Sequence, residues 1–425
     1  MRVKFMHYYI HIPFCRQKCP YCKFALTPIF DEVKKRRYIA YLKEEIRGYF
    51  ASVAREEQAI QEKNTNSFSW LDRHASLAMT ETRTIYFGWG TPSVLSHDEL
   101  QSILECFPDY RRVSEISFES NPEDITGDYV RGLLDLGVTR LSMWVQTVND
   151  RSLKEIHRSS KKSIYEALES IRRALEDKQG NKGSEISQKQ EIQGRKVFSK
   201  GVYSVVSDWE INFSNDEVRS FSEISINVDF ILGLPYTLPW EILEWIQELH
   251  KKFPFITHTS VYMLEDEEYP KHWKEKSIRE LELQKEFLDI MKYFESIGWH
   301  HYELSNFAKP WYESKHNQSY WDHSPYRGFG LSASSFEWKR RWSNSSSFAG
   351  YYRWEKENEE TLTPETLTIE NIMFGMRRNG VEKSLLQENK YKPLITEWLI
   401  EIRWEKLFPT KTWIFLLDHI MGELI

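Results

Sequence analysis

The sequence predicts an α/β protein, a parallel sheet built from repeated βα units and followed by a smaller, mainly helical C-terminal unit. Two observations predict it. Short apolar runs at 8–12, 84–87, 115–119, 140–146, 225–231 and 259–263 are separated by longer stretches of helical character, the alternation expected of a sheet covered by crossover helices. The chain of 425 residues also exceeds the ~250–300 residues at which a single core stops growing. A second unit is therefore expected, at 361–425 against 1–340 for the first.

Taken in order, the run at 8–12 leads straight into Cys15, and the run at 84–87 leads into the turn Gly88-Trp89-Gly90-Thr91-Pro92. The third and fourth runs end on Glu119 and Gln146, and the fifth carries Asp229. Polar residues at the C-terminal ends of strands are where βα loops build active sites. Between about 178 and 224 the chain turns polar and rich in Lys, Gln, Ser and Gly, and a shorter excess spans about 56–82. Both are expected to be insertions at the surface, since compact βα units rarely use such long connections. From 361 the pattern is helical, with a Pro409-Thr410 turn before a final helix.

The formal charge of -6 leaves no electrostatic footprint for nucleic acid. Charged residues interrupt every apolar stretch, so none reaches the ~18 continuous apolar residues of a membrane span; a peripheral membrane contact is left open. The segment before Cys15 holds two histidines and runs into a ligand-type motif, which is not the pattern of a secretory signal. A cytoplasmic location is expected.

Three of the four cysteines, Cys15, Cys19 and Cys22, fall within eight residues. A secreted disulfide framework would spread and pair its cysteines, whereas clustered thiols in a long chain indicate a metal or cluster site in a reducing compartment. C-x3-C-x2-C supplies three thiolates. Structural zinc takes four protein ligands, while a cubane cluster can use three and leave one iron open. Cys106, in Leu-Glu-Cys-Phe, is expected to be a small core residue.

The cysteine spacing and its flanking words resemble the radical S-adenosylmethionine (SAM) proteins. In particular they resemble the branch that contains oxygen-independent coproporphyrinogen III oxidase and the HemW-type heme chaperones. The words are residues 9–24, 85–93 (IYFGWGTPS), 116–122 (ISFESNP), 137–147 (GVTRLSMWVQT), 227–235 (NVDFILGLP), 301–308 (HYELSNFA) and 316–321 (HNQSYW). The resemblance implies an open (β/α)6 barrel with a small C-terminal domain, helical with a winged-helix flavour. It implies a 4Fe-4S cluster on Cys15, Cys19 and Cys22 and SAM against Tyr9, Tyr21, Gly90, Thr91, Glu119, Gln146, Arg158 and Asp229. It also implies heme near His316, Tyr320 and Trp321, with the imidazole as a candidate axial ligand and the aromatics packing on the porphyrin. Partners would be a heme-accepting protein and an electron donor. Oxidases of the branch resemble one another in a long segment before the cysteines and a further cysteine just after them. Here fourteen residues precede Cys15 and Lys23-Phe24 follows Cys22, which favours the chaperone over the oxidase, an enzyme of porphyrin biosynthesis. No residue is assigned a catalytic role.

The chain holds 16 Trp and 18 Gly, although glycine normally supplies ~7% of residues. Tryptophan stands where the resembled family has glycine at Trp89, Trp144 and Trp311, and where glycine is usual at Trp398 and Trp413. If the source reads UGA as glycine, one cause explains them all. If the tryptophans are genuine, the cofactor pocket is obstructed and the protein is a pseudoenzyme. Residues 142, 144 and 146 share a strand face, so an indole at 144 is expected beside Gln146, bringing ~150–250 Å² of ring into that space.

Overall fold

The structure is a computed structural model that describes residues 5–22, 27–28, 31–64, 81–193, 224–264, 270–273, 279–337 and 339–425. Six parallel strands form its centre: β1 (Phe5–Ile12), β2 (Glu81–Gly90), β3 (Glu115–Ser120), β4 (Arg140–Gln146), β5 (Ser225–Leu232) and β6 (Ile256–Met263), each hydrogen-bonded to the next. Every expected strand is present. A parallel sheet covered by helices buries both faces of its strands, and β5, Ser-Ile-Asn-Val-Asp-Phe-Ile-Leu, is buried throughout, its polar residues included.

The sheet is wider than the six expected strands. Among the described residues twelve strands form one open sheet. The strand Tyr326–Phe329 pairs parallel with the other edge of β1, and Ser334–Glu337, Arg340–Asn344 and Lys356–Thr361 extend it antiparallel, past residue 340. Beyond β6 the hairpin of His300–Glu303 and Asn306–Ala308 closes the opposite end. These additions are short and mixed in polarity, so their strand pattern is weak in the sequence.

Helices cover the outside. Ser96 and Glu99 form a capping box at the start of the helix His97–Leu104, Thr126 caps Gly127–Asp135, and Asn149 caps Asp150–Glu155; such caps satisfy amide groups that the first helical turn leaves open. The helix Glu32–Asn64 runs into the first expected insertion, and Lys161–Gln193 runs into the second. The remainder of both insertions, 65–80 and 194–223, lies outside the described residues.

The C-terminal segment has its own core, in which Ile372, Met376, Leu394, Leu407 and Ile420 pack together. Its helices Pro364–Arg377, Glu388–Thr396 and Leu417–Leu424 accompany a three-stranded sheet of Val381–Glu382, Lys406–Pro409 and Ile400–Arg403. It meets the rest of the chain partly through one short helix, Lys315–Trp321: Arg378 donates to the Gln318 carbonyl at 3.3 Å and its amide oxygen at 2.8 Å, and Phe374 meets Trp321 edge-on at 5.5 Å. Among the described residues no helix is long and apolar enough to cross a membrane.

Candidate cluster and cofactor site

Alternation along the parallel strands sends every second side chain inward. Ser117 and Glu119 of β3, Arg140, Ser142, Trp144 and Gln146 of β4, Asn227, Asp229 and Ile231 of β5, and His258, Ser260 and Tyr262 of β6 all face one cavity of about 570 Å³. Its rim is the loop after β1. Cys15, Cys19 and Cys22 all line it, the first two buried and the third half-buried, and none forms a disulfide. Arg16 pins that loop through an ion pair with Asp124 at 2.8 Å, and Ser93 donates to the same carboxylate at 2.7 Å.

The three thiols fit a cluster better than a single ion. Among the described residues no three Cys, His, Asp or Glu side chains converge as a one-ion site, yet these three cysteines share one wall. A cubane places each thiolate on its own iron, so it needs a shared wall rather than a common point. Burial pushes the Cys15 thiol up to about 11, partly offset by its 3.0 Å contact with the Thr91 hydroxyl; metal coordination is what turns such a thiol into a thiolate.

Of the eight residues expected to hold SAM, six line the cavity: Tyr21, Gly90, Glu119, Gln146, Arg158 and Asp229. Thr91 lies behind the rim against Cys15. Tyr9 lies behind Tyr86, ring centroids 6.1 Å apart. The polar groups fit a bound ligand, because several buried atoms lack a protein partner: the Tyr9 hydroxyl, the Gln146 amide oxygen and the Arg158 Nε. Gly90 is held left-handed (φ +60°), and a Cβ there would come within 1.8 Å of the Ile12 carbonyl oxygen; only glycine brings that turn so close.

Glu119 accepts from the Tyr86 hydroxyl at 2.6 Å and the Trp89 amide at 2.8 Å, and burial pushes its carboxyl up to about 7. Arg158 donates to the Asn121 amide oxygen and reaches the Tyr21 hydroxyl at 3.5 Å, linking β3 to the cysteine loop. Burial also raises the Asp229 carboxyl, which accepts from Ser142 at 2.9 Å and Asn227 at 2.6 Å. The floor residues Arg140, Asn227 and His258 are absent from the sequence-based set. Counting back by twos from Gln146 and Asp229 would have found the first two.

The expected heme residues sit elsewhere. The helix Lys315–Trp321 plugs the base of the barrel, and only its Asn317 lines the cavity. Glu115 seats this helix by accepting from the backbone amides of Lys315 at 2.9 Å and His316 at 3.1 Å. His316 is fully buried, with Nδ1 2.7 Å from the Thr84 hydroxyl and Nε2 2.8 Å from the Tyr320 hydroxyl. Both ring nitrogens are engaged, and burial holds the imidazole well below its ordinary pKa, hence neutral. Trp321 is half-buried against Phe374.

The geometry of a cysteine loop over a parallel barrel has known relatives. Residues 70–182 match the family model described as the radical SAM superfamily. The chain carries a radical SAM domain. The cysteine loop precedes the matched segment, but likeness to whole proteins spans nearly the entire chain. It is 28% identical to a heme chaperone HemW of Lactococcus lactis over 90% of this chain and 84% of that protein. It is 26% identical to the heme chaperone HemW of Bacillus subtilis over 89% of this chain and 86% of that one. Among solved structures, this chain shares the fold of coproporphyrinogen III oxidase from Escherichia coli. The TM-score is 0.67 at 17% identity, over 99% of this chain and 89% of the other.

Proposed function

We propose that this protein is a heme chaperone of the radical SAM class, which binds a 4Fe-4S cluster, SAM and heme and delivers heme to an acceptor protein. The observation that carries the proposal is the single cavity that gathers Cys15, Cys19 and Cys22 with Glu119, Gln146, Arg158 and Asp229. Heme chaperones related over most of the chain support the carrier role. A reducing, cytoplasmic setting suits four cysteines of which none forms a disulfide.

The three cysteines would hold the cluster, and the cluster and SAM when bound supply one-electron chemistry at the adenosyl–sulfur bond. The chain's own residues bind and orient. Glu119 and Asp229 offer carboxylate acceptors for ammonium or ribose hydroxyl groups, Gln146 an open amide oxygen, and Arg158 a cation beside the cysteine loop. Tyr21, itself part of that loop, meets Arg158 through its hydroxyl at 3.5 Å. If His316 were to hold heme iron, one of its ring nitrogens would have to give up Thr84 or Tyr320.

Anaerobic reconstitution followed by heme titration tests the proposal. Stoichiometric heme binding, with no turnover of coproporphyrinogen III in the presence of SAM and reductant, is the expected result. Formation of protoporphyrinogen IX would assign the protein to the oxidase class instead.

A further inference from the structure

Fourteen non-glycine residues among those described have left-handed backbone, and six of them are tryptophan: Trp89, Trp240, Trp311, Trp354, Trp398 and Trp404, with φ between +48° and +76°. Bulky residues are genuine outliers in that region, where glycine carries no penalty. Each of the six stands in a turn with an identifiable requirement. Pro239-Trp240 and Pro310-Trp311 are the central pairs of turns closed by the Glu241 amide on the Leu238 carbonyl and the Tyr312 amide on the Lys309 carbonyl. Proline followed by positive φ is the type II turn, whose third residue is glycine by preference.

Trp398 follows the helix Glu388–Thr396 at the position where a Schellman end takes glycine. Its amide bonds the Ile395 carbonyl, and the Leu399 amide bonds the Leu394 carbonyl. Trp354 repeats the pattern after Phe348–Tyr351, through bonds from Trp354 to Tyr351 and from Glu355 to Gly350. Trp404 and Glu405 form the two-residue loop between Ile400–Arg403 and Lys406–Pro409, both left-handed, which is a type I′ hairpin turn. Trp89 adjoins left-handed Gly90 at the cavity rim.

Among the other tryptophans, Trp144, Trp245 and Trp321 are half-buried and outside the left-handed set. Trp273, Trp299 and Trp342 are buried and absent from the left-handed set, as large aromatic core residues should be. The six left-handed ones are all exposed, from 37% for Trp240 to 93% for Trp311. With glycine at ~7% of residues, 425 would carry about thirty, and the chain has 18.

We infer that the protein made in its source carries glycine at 89, 240, 311, 354, 398 and 404, because one triplet, UGA, is read there as glycine. Buried Trp273, Trp299 and Trp342 are tryptophan in the same protein. At the functional site, glycine at 89 gives the rim two consecutive left-handed glycines that close on the cluster loop without an indole. The inference stands on backbone geometry and is independent of what the cavity binds.

Tandem mass spectrometry of peptides from the protein isolated from its source tests it, with the coding triplets read alongside. Glycine at the six positions, encoded by TGA, and tryptophan at 273, 299 and 342, encoded by TGG, are expected. Tryptophan in the six peptides would overturn the inference, and so would TGG at those codons. Neither measurement depends on cluster, SAM or heme binding, so it separates this inference from the functional proposal.

Discussion

The guanidinium of Arg158 lies 5.1 Å from the ring centroid of Trp144, and both side chains line the cavity that holds the three cysteines. The indole thus covers one side of a cation that bridges β3 and the cysteine loop, and Gln146 opens into the same space. The expected shared face of residues 144 and 146 is present, although the backbone turns left-handed at Gln146.

Removing the indoles should open the pocket. Overpacking typically costs ~1–3 kcal/mol, so the double change Trp89→Gly, Trp144→Gly should raise SAM affinity by about tenfold or more. Anaerobic calorimetry at matched cluster content measures it. Equal affinities would show that neither indole competes with the cofactor.

Cluster content should depend on three thiols and not the fourth. Ala at Cys15, Cys19 or Cys22 should abolish the iron–sulfur absorbance of reconstituted protein. Cys106→Ala should retain it, since Cys106 is a core residue that donates to the Ser102 carbonyl at 3.3 Å. Zinc without charge-transfer absorbance would refute the cluster.

Substituting His316 should affect stability as well as heme. His316→Ala takes the buried Tyr320 hydroxyl's partner away, at ~1–3 kcal/mol for an unsatisfied group, while Thr84 keeps His7 Nδ1 at 2.9 Å. Chemical unfolding should show a loss of at least that size, and heme titration a weaker complex. Unchanged heme affinity in a folded variant would remove His316 from the ligand set.

Stability should fall as pH rises from about 4.5 through 7. Burial pushes Glu303 up to about 7, partly offset by the Ser305 amide, Asn306 and Arg378. The folded state therefore holds its proton more tightly than the unfolded state does. Its contribution is fully present below about pH 4.5 and is lost as pH rises through 7, a change on the order of 3 kcal/mol. Glu119 acts in the same direction. Urea midpoints at pH 5 and pH 8 should converge in Glu303→Gln relative to the parent, and an unaltered pH slope would count against Glu303.

A left-handed tryptophan costs ~1–2 kcal/mol, and six together rival the ~5–15 kcal/mol net stability of a domain. Trp398→Gly in recombinant protein should therefore raise the melting temperature by a few degrees. Scanning calorimetry that shows no rise would mean that the Schellman end tolerates the indole.

What the sequence determined alone is what short separations determine. The strand at 140–146 is predicted to the residue, with Leu141, Met143 and Val145 buried in the core and alternating with the residues that face the cavity. The three cysteines declare themselves because a ligand loop is local, and the flanking words that resemble a known family point to Glu119, Gln146 and Asp229. Tertiary structure alone decided the rest. His316 is sealed beneath the barrel because Glu115, 201 positions earlier, accepts its amide, and Arg158, already expected from the sequence, is held at the cavity by contacts with Asn121 and Tyr21 from other loops. The edge strands exist only where a neighbour supplies their pairing. The handedness that separates six tryptophans from the buried ones is a property of turns closed in three dimensions, since φ is set by how the chain must return and not by the residue occupying the bend.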